Sequence, residues 1–69
     1  VIEIASNDGG LLACFVRRGV PVLGVDPARN VAAAAIEKGV PTRVAFWGLA
    51  TAEAVAAEEG QADLIALNN

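Results

Sequence analysis

The chain has 69 residues, 55% of them hydrophobic and 19% charged, and carries a formal net charge of −3. That length allows no more than one domain, and the apolar composition excludes disorder. Only Arg17 and Arg18 are adjacent among five Lys/Arg, so no basic patch is present to engage phosphates, and nucleic acid is not an expected partner.

Val1–Ala5 is the first of four short apolar runs, followed by Val20–Val25, Thr42–Phe46 and Asp63–Leu67. Each is strand length and nearly continuous rather than alternating, the pattern of parallel strands covered on both faces. Glu3 stands among Val1, Ile2 and Ile4, where an unpaired carboxylate is costly to bury. It is expected either to be hydrogen-bonded near the strand end or to reach a cationic ligand group.

The loop "ASNDGG" follows. A dinucleotide fingerprint needs G-x-G-x-x-G so that bare backbone can approach a pyrophosphate, and a Walker loop needs Lys-Ser/Thr. Neither is present. The glycines are Gly9 and Gly10, and Asp8 places a negative charge where a phosphate would lie. A ligand without phosphates suits this loop, with Asn7 or Asp8 also able to cap the next helix.

Gly10–Arg18 has helical spacing, with Leu11 and Phe15 four apart and Leu12 and Val16 beside them. Cys14 lies within it as a core residue, since no His exists to activate a thiol. A second helix, Pro27–Lys38, turns Val31, Ala32, Ala35 and Ile36 to one side. A third, Leu49–Glu59, turns Ala52, Val55 and Ala56 inward and Glu53, Glu58 and Glu59 outward. Gly19, Gly39 and Gly60 follow the three helices as C′ residues, and "GVP" recurs at 19–21 and 39–41 as a helix-to-strand turn.

The order β-α-β-α-β-α-β predicts an α/β fold with a parallel sheet, whose ligand lies beyond the carboxyl ends of the strands. That brings together the loop after Ala5, the turn at Asp26, and the tips at Phe46 and Asn68. Asp26 can accept both hydroxyls of a ribose, or, followed by Pro27, serve as an N-cap before a proline at N1. Phe46 and Trp47 form a wall for an adenine ring or cap the small core. Asp63 is expected at the opposite, structural end of the last strand. With no His and one Cys, neither a zinc site nor an intrachain disulfide is expected.

With these residues assembled, the sequence resembles class I S-adenosylmethionine-dependent methyltransferases. Their first strand and loop carry an acidic-x-Gly-x-Gly-x-Gly pattern, of which "EIASNDG" keeps Glu3 and Gly9, while Ala5 and Asn7 replace the first two glycines. The stretches "EIASNDGGLL", "VPVLGVDPARNVA", "GVPTRVAFWG" and "ADLIALNN" together resemble a narrower group, the sugar C-methyltransferases of deoxysugar biosynthesis, in which a Ser-Asn-Asp-Gly loop replaces the glycine-rich one.

The resemblance implies a Rossmann-like sheet with strand order 3-2-1-4 and S-adenosyl-L-methionine as cofactor. It implies that Glu3 and the loop Ala5, Ser6, Asn7, Asp8 and Gly9 hold the methionine portion, that Asp26 accepts the ribose hydroxyls with Pro27 and Asn30 nearby, that Phe46 and Trp47 flank the adenine, and that Asn68 lines the floor near the sulfonium. The implied reaction is methyl transfer to a carbon of a nucleotide-linked deoxysugar or similar small molecule. The family's cysteine-rich zinc region and its catalytic His and Tyr residues match nothing in these residues. Residues 1–69, starting on Val and ending straight after an apolar run, are therefore expected to be the N-terminal part of a cofactor-binding domain, truncated at both ends and inactive alone. With one cysteine and no membrane span or signal peptide, it is expected to be cytoplasmic. Two alternatives stay open: a nicotinamide- or flavin-binding domain of an oxidoreductase, and a non-catalytic α/β interaction domain.

Overall fold

The carboxyl ends of four parallel strands form one edge of the computed structural model, which describes residues 1–67. In chain order the elements are β1 (Ile2–Ile4), α1 (Gly10–Arg17), β2 (Leu23–Asp26), α2 (Arg29–Glu37), β3 (Thr42–Val44), α3 (Leu49–Glu59) and β4 (Ile65–Leu67). The sheet order is β3-β2-β1-β4, the Rossmann-like order expected from the sequence. In register, Glu3 lies between Gly24 of β2 and Ala66 of β4, and Gly24 lies beside Thr42 of β3.

Alternation along these strands splits the core into two layers. On one face Ile2 and Val25 pack with Val55 of α3, flanked by Leu23, Ala45 and Ala62. On the other, Leu12 of α1 and Ala35 of α2 meet Val40, with Val1, Ala13, Phe15 and Val22 around them. Burying each of Leu12, Val25, Val40 and Val55 contributes about 1.5–3 kcal/mol. Small residues keep the second layer thin, with Ala32 and Ala35 fully buried.

The strands are shorter than their apolar runs, and at the start of β2 helix closure explains why. After α1, Gly19 at φ 75° donates its N–H to the Val16 carbonyl, and Val20 donates to Phe15. After α2, Gly39 donates to Ile36 and Val40 to Ala35. Both are Schellman closures, so Val20 and Val40 are spent on the helix, and the prolines that follow have no N–H to give a ladder. The doubled "GVP" is this closure. Gly60 differs: it occupies the C-cap of α3 itself, with ψ −174°, and donates to Ala56 without a Schellman pair. At its other end β3 stops at Val44, and two residues on the Phe46 carbonyl accepts the Thr51 hydroxyl in the turn into α3.

Four inward assignments are corrected. Cys14 is exposed rather than in the core, its thiol 3.2 Å from Arg17 Nη2. Leu11 and Ile36 are also exposed, and so is Ala56, because Leu12, the alanines of α2 and Val55 carry the inward faces. No helix among the described residues is long and apolar enough to cross a membrane.

One glycine is required by space alone. A Cβ on Gly24 would lie against Ser6 Oγ, 2.9 Å from Ser6 Cβ and 3.2 Å from Thr42 Oγ1. Gly48, by contrast, has nothing within 4 Å of such a Cβ and an extended φ of −174°. Gly24→Ala is expected to destabilise the fold by about 1–3 kcal/mol through overpacking, and Gly48→Ala by under about 0.5 kcal/mol, measured by urea denaturation of the full-length protein.

Candidate functional site

The chain leaves β1 at the carboxyl edge and must enter α1 within five residues. It does so with a left-handed backbone at alternate positions: Ala5 at φ 60°, Asn7 at 57° and Gly9 at 78°. Ala5 and Asn7 are the two positions where the resembled pattern has glycine. The chain keeps the glycine backbone without the glycines, at a cost on the order of 1 kcal/mol for Ala5 and less for Asn7. Hydrogen bonds offset this cost. Ala5 and Ser6 both donate to the Val25 carbonyl, at 2.8 and 3.2 Å, and Gly9 donates to Ser6 at 3.0 Å. Gly9 also packs closely, its absent Cβ standing 3.1 Å from that of Ala35 and 3.2 Å from that of Val40.

Asp26, at the tip of β2, joins this loop directly. Its Oδ2 accepts the Asn7 N–H and its Oδ1 the Ala28 N–H, both at 2.9 Å. Asp26 is therefore not the N-cap of α2. That position is Ala28, and the Asp26–Ala28 turn holds Pro27 outside the helix. Gly9, not Asn7 or Asp8, is the N-cap of α1. Asp8 still serves that helix end, because its Oδ1 accepts the Gly10 N–H at 3.2 Å. Its Oδ2 meets Lys38 Nζ at 3.2 Å, tying the loop to the end of α2. The Lys38 hydrogen bond, then the Gly10 amide, hold the Asp8 carboxyl below its ordinary value. Both side chains are about half exposed, so solvent and salt screen the pair.

Beneath the loop lie two buried polar side chains. Glu3 is 3% exposed and Ser6 4%, and Glu3 Oε1 and Ser6 Oγ have no hydrogen-bond partner. They are neighbours: Glu3 is the register partner of Gly24, and Ser6 sits in the slot Gly24 leaves open. Burial pushes the Glu3 carboxyl above its ordinary value. Glu3 is thus not satisfied within the strand. It is a buried acceptor lacking a donor, which costs stability unless a ligand or water supplies one.

At the tip of β3, Ala45 donates to the Asp26 carbonyl at 3.2 Å, which sets Phe46 next to the Asp26 turn. Phe46 is 81% exposed, while Trp47, 37% exposed, lines an apolar cleft of about 280 Å³ with Ile2, Val55 and Ile65 on the α3 face. Pro27 and Asn30 are exposed beside the Asp26 turn and in the first turn of α2. Asn68 lies outside the described residues. The carboxyl edge therefore assembles Glu3, the loop 5–9, Asp26 and Phe46. A larger cleft, about 380 Å³, opens at the opposite end of the sheet around Val1, Pro21, Gly60 and Asp63. It collects strand starts and helix ends, where parallel sheets do not present their loops to ligands.

Two residues that shape the site, Gly24 and Lys38, are not among the sequence candidates. A glycine inside the run "PVLGVD" was a readable signal of close approach. Lys38 had no such signal, since its partner lies thirty residues away. Among the described residues, no group of three or more His, Cys, Asp or Glu could hold a metal.

No family model matches the chain. It is 42% identical over 65 residues to C-methyltransferase NovU of Streptomyces niveus. The match takes in 94% of this chain but 16% of that protein's length. The resemblance carried by the four motifs is borne out, over a segment.

The raised Glu3 value has a definite pH signature. The native state favours the protonated carboxyl, so this stabilisation is complete below the unfolded value near 4.5 and is lost as pH rises through the folded value. Glu3→Gln is expected to raise the ligand-free Tm at pH 7 by a few degrees, with the gain disappearing below pH 4.5. Thermal unfolding of both proteins across that range checks it.

Proposed function

We propose that this chain is part of the cofactor-binding half of an S-adenosylmethionine-dependent C-methyltransferase acting on a small molecule. The observation that carries this reading is at the start of α1, where a phosphate-binding domain would offer free amides. Here the Gly10 N–H already donates to Asp8, and the Asp8 carboxylate itself occupies that end. A second negative charge would be repelled, so the loop suits a ligand with no phosphate. In β1, Glu3 Oε1 is a buried acceptor with no donor, matched to an ammonium group. The similarity to a C-methyltransferase supports the same reading.

The residues present fit the cofactor. Glu3 and Ser6, with the loop Ala5–Gly9, would hold its amino-acid end, Asp26 with Pro27 and Asn30 its ribose, and Phe46 its adenine, with Trp47 on the α3 side of it. When bound, S-adenosylmethionine supplies an electrophilic methyl group on a positively charged sulfur. The role of this segment is to bind and orient, which matters because in-line displacement depends on alignment of the reacting atoms. The resemblance to sugar C-methyltransferases makes a nucleotide-linked deoxysugar the favoured methyl acceptor.

Isothermal titration of the full-length protein with S-adenosylhomocysteine and with NAD tests the proposal. Binding of S-adenosylhomocysteine is expected, with NAD undetected, and Glu3→Gln is expected to weaken it roughly tenfold or more. Binding of NAD alone would overturn the reading in favour of an oxidoreductase domain. Binding of neither by a folded sample would favour a non-catalytic domain.

A further inference from the structure

Asp26 is 8% exposed, and its two carboxylate oxygens serve different segments of the chain. Oδ1 accepts from Ala28, which shapes its own turn, while Oδ2 accepts from Asn7, nineteen residues earlier and in another loop. The other loop amides whose bonds are described, at Ala5, Ser6 and Gly9, go to backbone carbonyls. Asn7 is held instead by a side chain, at a residue whose backbone is left-handed without being glycine. A backbone N–H bonded to a carboxylate is among the stronger protein hydrogen bonds, and removing the acceptor leaves that amide unpaired.

We propose that Asp26 is a positioning residue for the loop Ala5–Gly9, so that the amino-acid end of the ligand site is set by a carboxylate at its ribose end. This deepens the cofactor reading above and rests on it. Asp26 then acts on a part of the ligand that it does not touch. The two ends of the site are coupled through one side chain, and the coupling is reciprocal: occupancy at either end stabilises the arrangement the other requires.

The coupling is separable from a ribose contact by removing the hydroxyls from the ligand. The full-length protein, Asp26→Ala and Asp26→Leu are compared by amide hydrogen exchange without ligand. They are then compared by titration with S-adenosylhomocysteine and with its 2′,3′-dideoxy analogue. Exchange at Asn7 is expected to quicken roughly tenfold in Asp26→Ala, and a loss of similar size is expected to persist for the dideoxy ligand. Unchanged exchange at Asn7, or a loss confined to the hydroxyl-bearing ligand, would overturn the proposal. If Asp26→Ala does not fold, Asp26→Leu decides by the same readouts, since it keeps the side-chain shape and has no acceptor oxygen. If the unaltered protein binds neither ligand, the cofactor reading fails by itself, and exchange at Asn7 still decides whether Asp26 holds the loop.

Discussion

A parallel strand must hand its chain to a helix at the carboxyl edge of the sheet, and here β1 does so in five residues. The backbone of the loop turns left-handed at Ala5, Asn7 and Gly9, and each turn commits a neighbouring element. Between Ala5 and Asn7 the Ser6 side chain drops into the slot above Gly24. At Asn7 the amide reaches the tip of β2. At Gly9 the loop presses onto Ala35 and Val40, the seam between α2 and β3. Shifting the hand of any one of these residues would disengage the contact that its turn commits.

The same loop shelters a feature that works against the fold. A carboxyl group in the middle strand of a small sheet, with one oxygen unpartnered, opposes folding when it is ionised. With this little core, a single such group weighs heavily. That expense makes sense if Glu3 meets its partner from outside the chain. The conflict between strand and charge is local, and it falls where the fold faces its proposed ligand.

How far the sequence could be read depended on the range of each interaction. Parallel strands, helix order and the C′ glycines at 19 and 39 were legible because each rests on residues within one or two turns of each other. Glu3 was conspicuous as a charge in an apolar strand. The faces of α1 and α2 were harder: an alanine inward shifts the apparent stripe by one residue, which left Ile36 and Cys14 facing solvent. The Asp26 clasp had no local trace at all, because Asp-Pro before a helix reads as a cap whichever amides the carboxylate meets. Only the packing of β2 against β1 brings Asn7 within its reach.

Glycine letters and glycine geometry have come apart in this chain. At positions 5 and 7 the backbone has the hand that favours glycine, yet alanine and asparagine hold it. At position 24, within a regular strand, nothing larger than hydrogen fits. Substitution at 5 and 7 is therefore limited by torsional cost, and exchange among Gly, Ala and Asn there is expected to leave the loop unmoved. Position 24 is limited by volume and admits no such exchange. A pattern built on spaced glycines at the end of a first strand overlooks a loop of this kind, whereas one built on the sign of φ at alternate residues, with a glycine beneath them in the next strand, would find it.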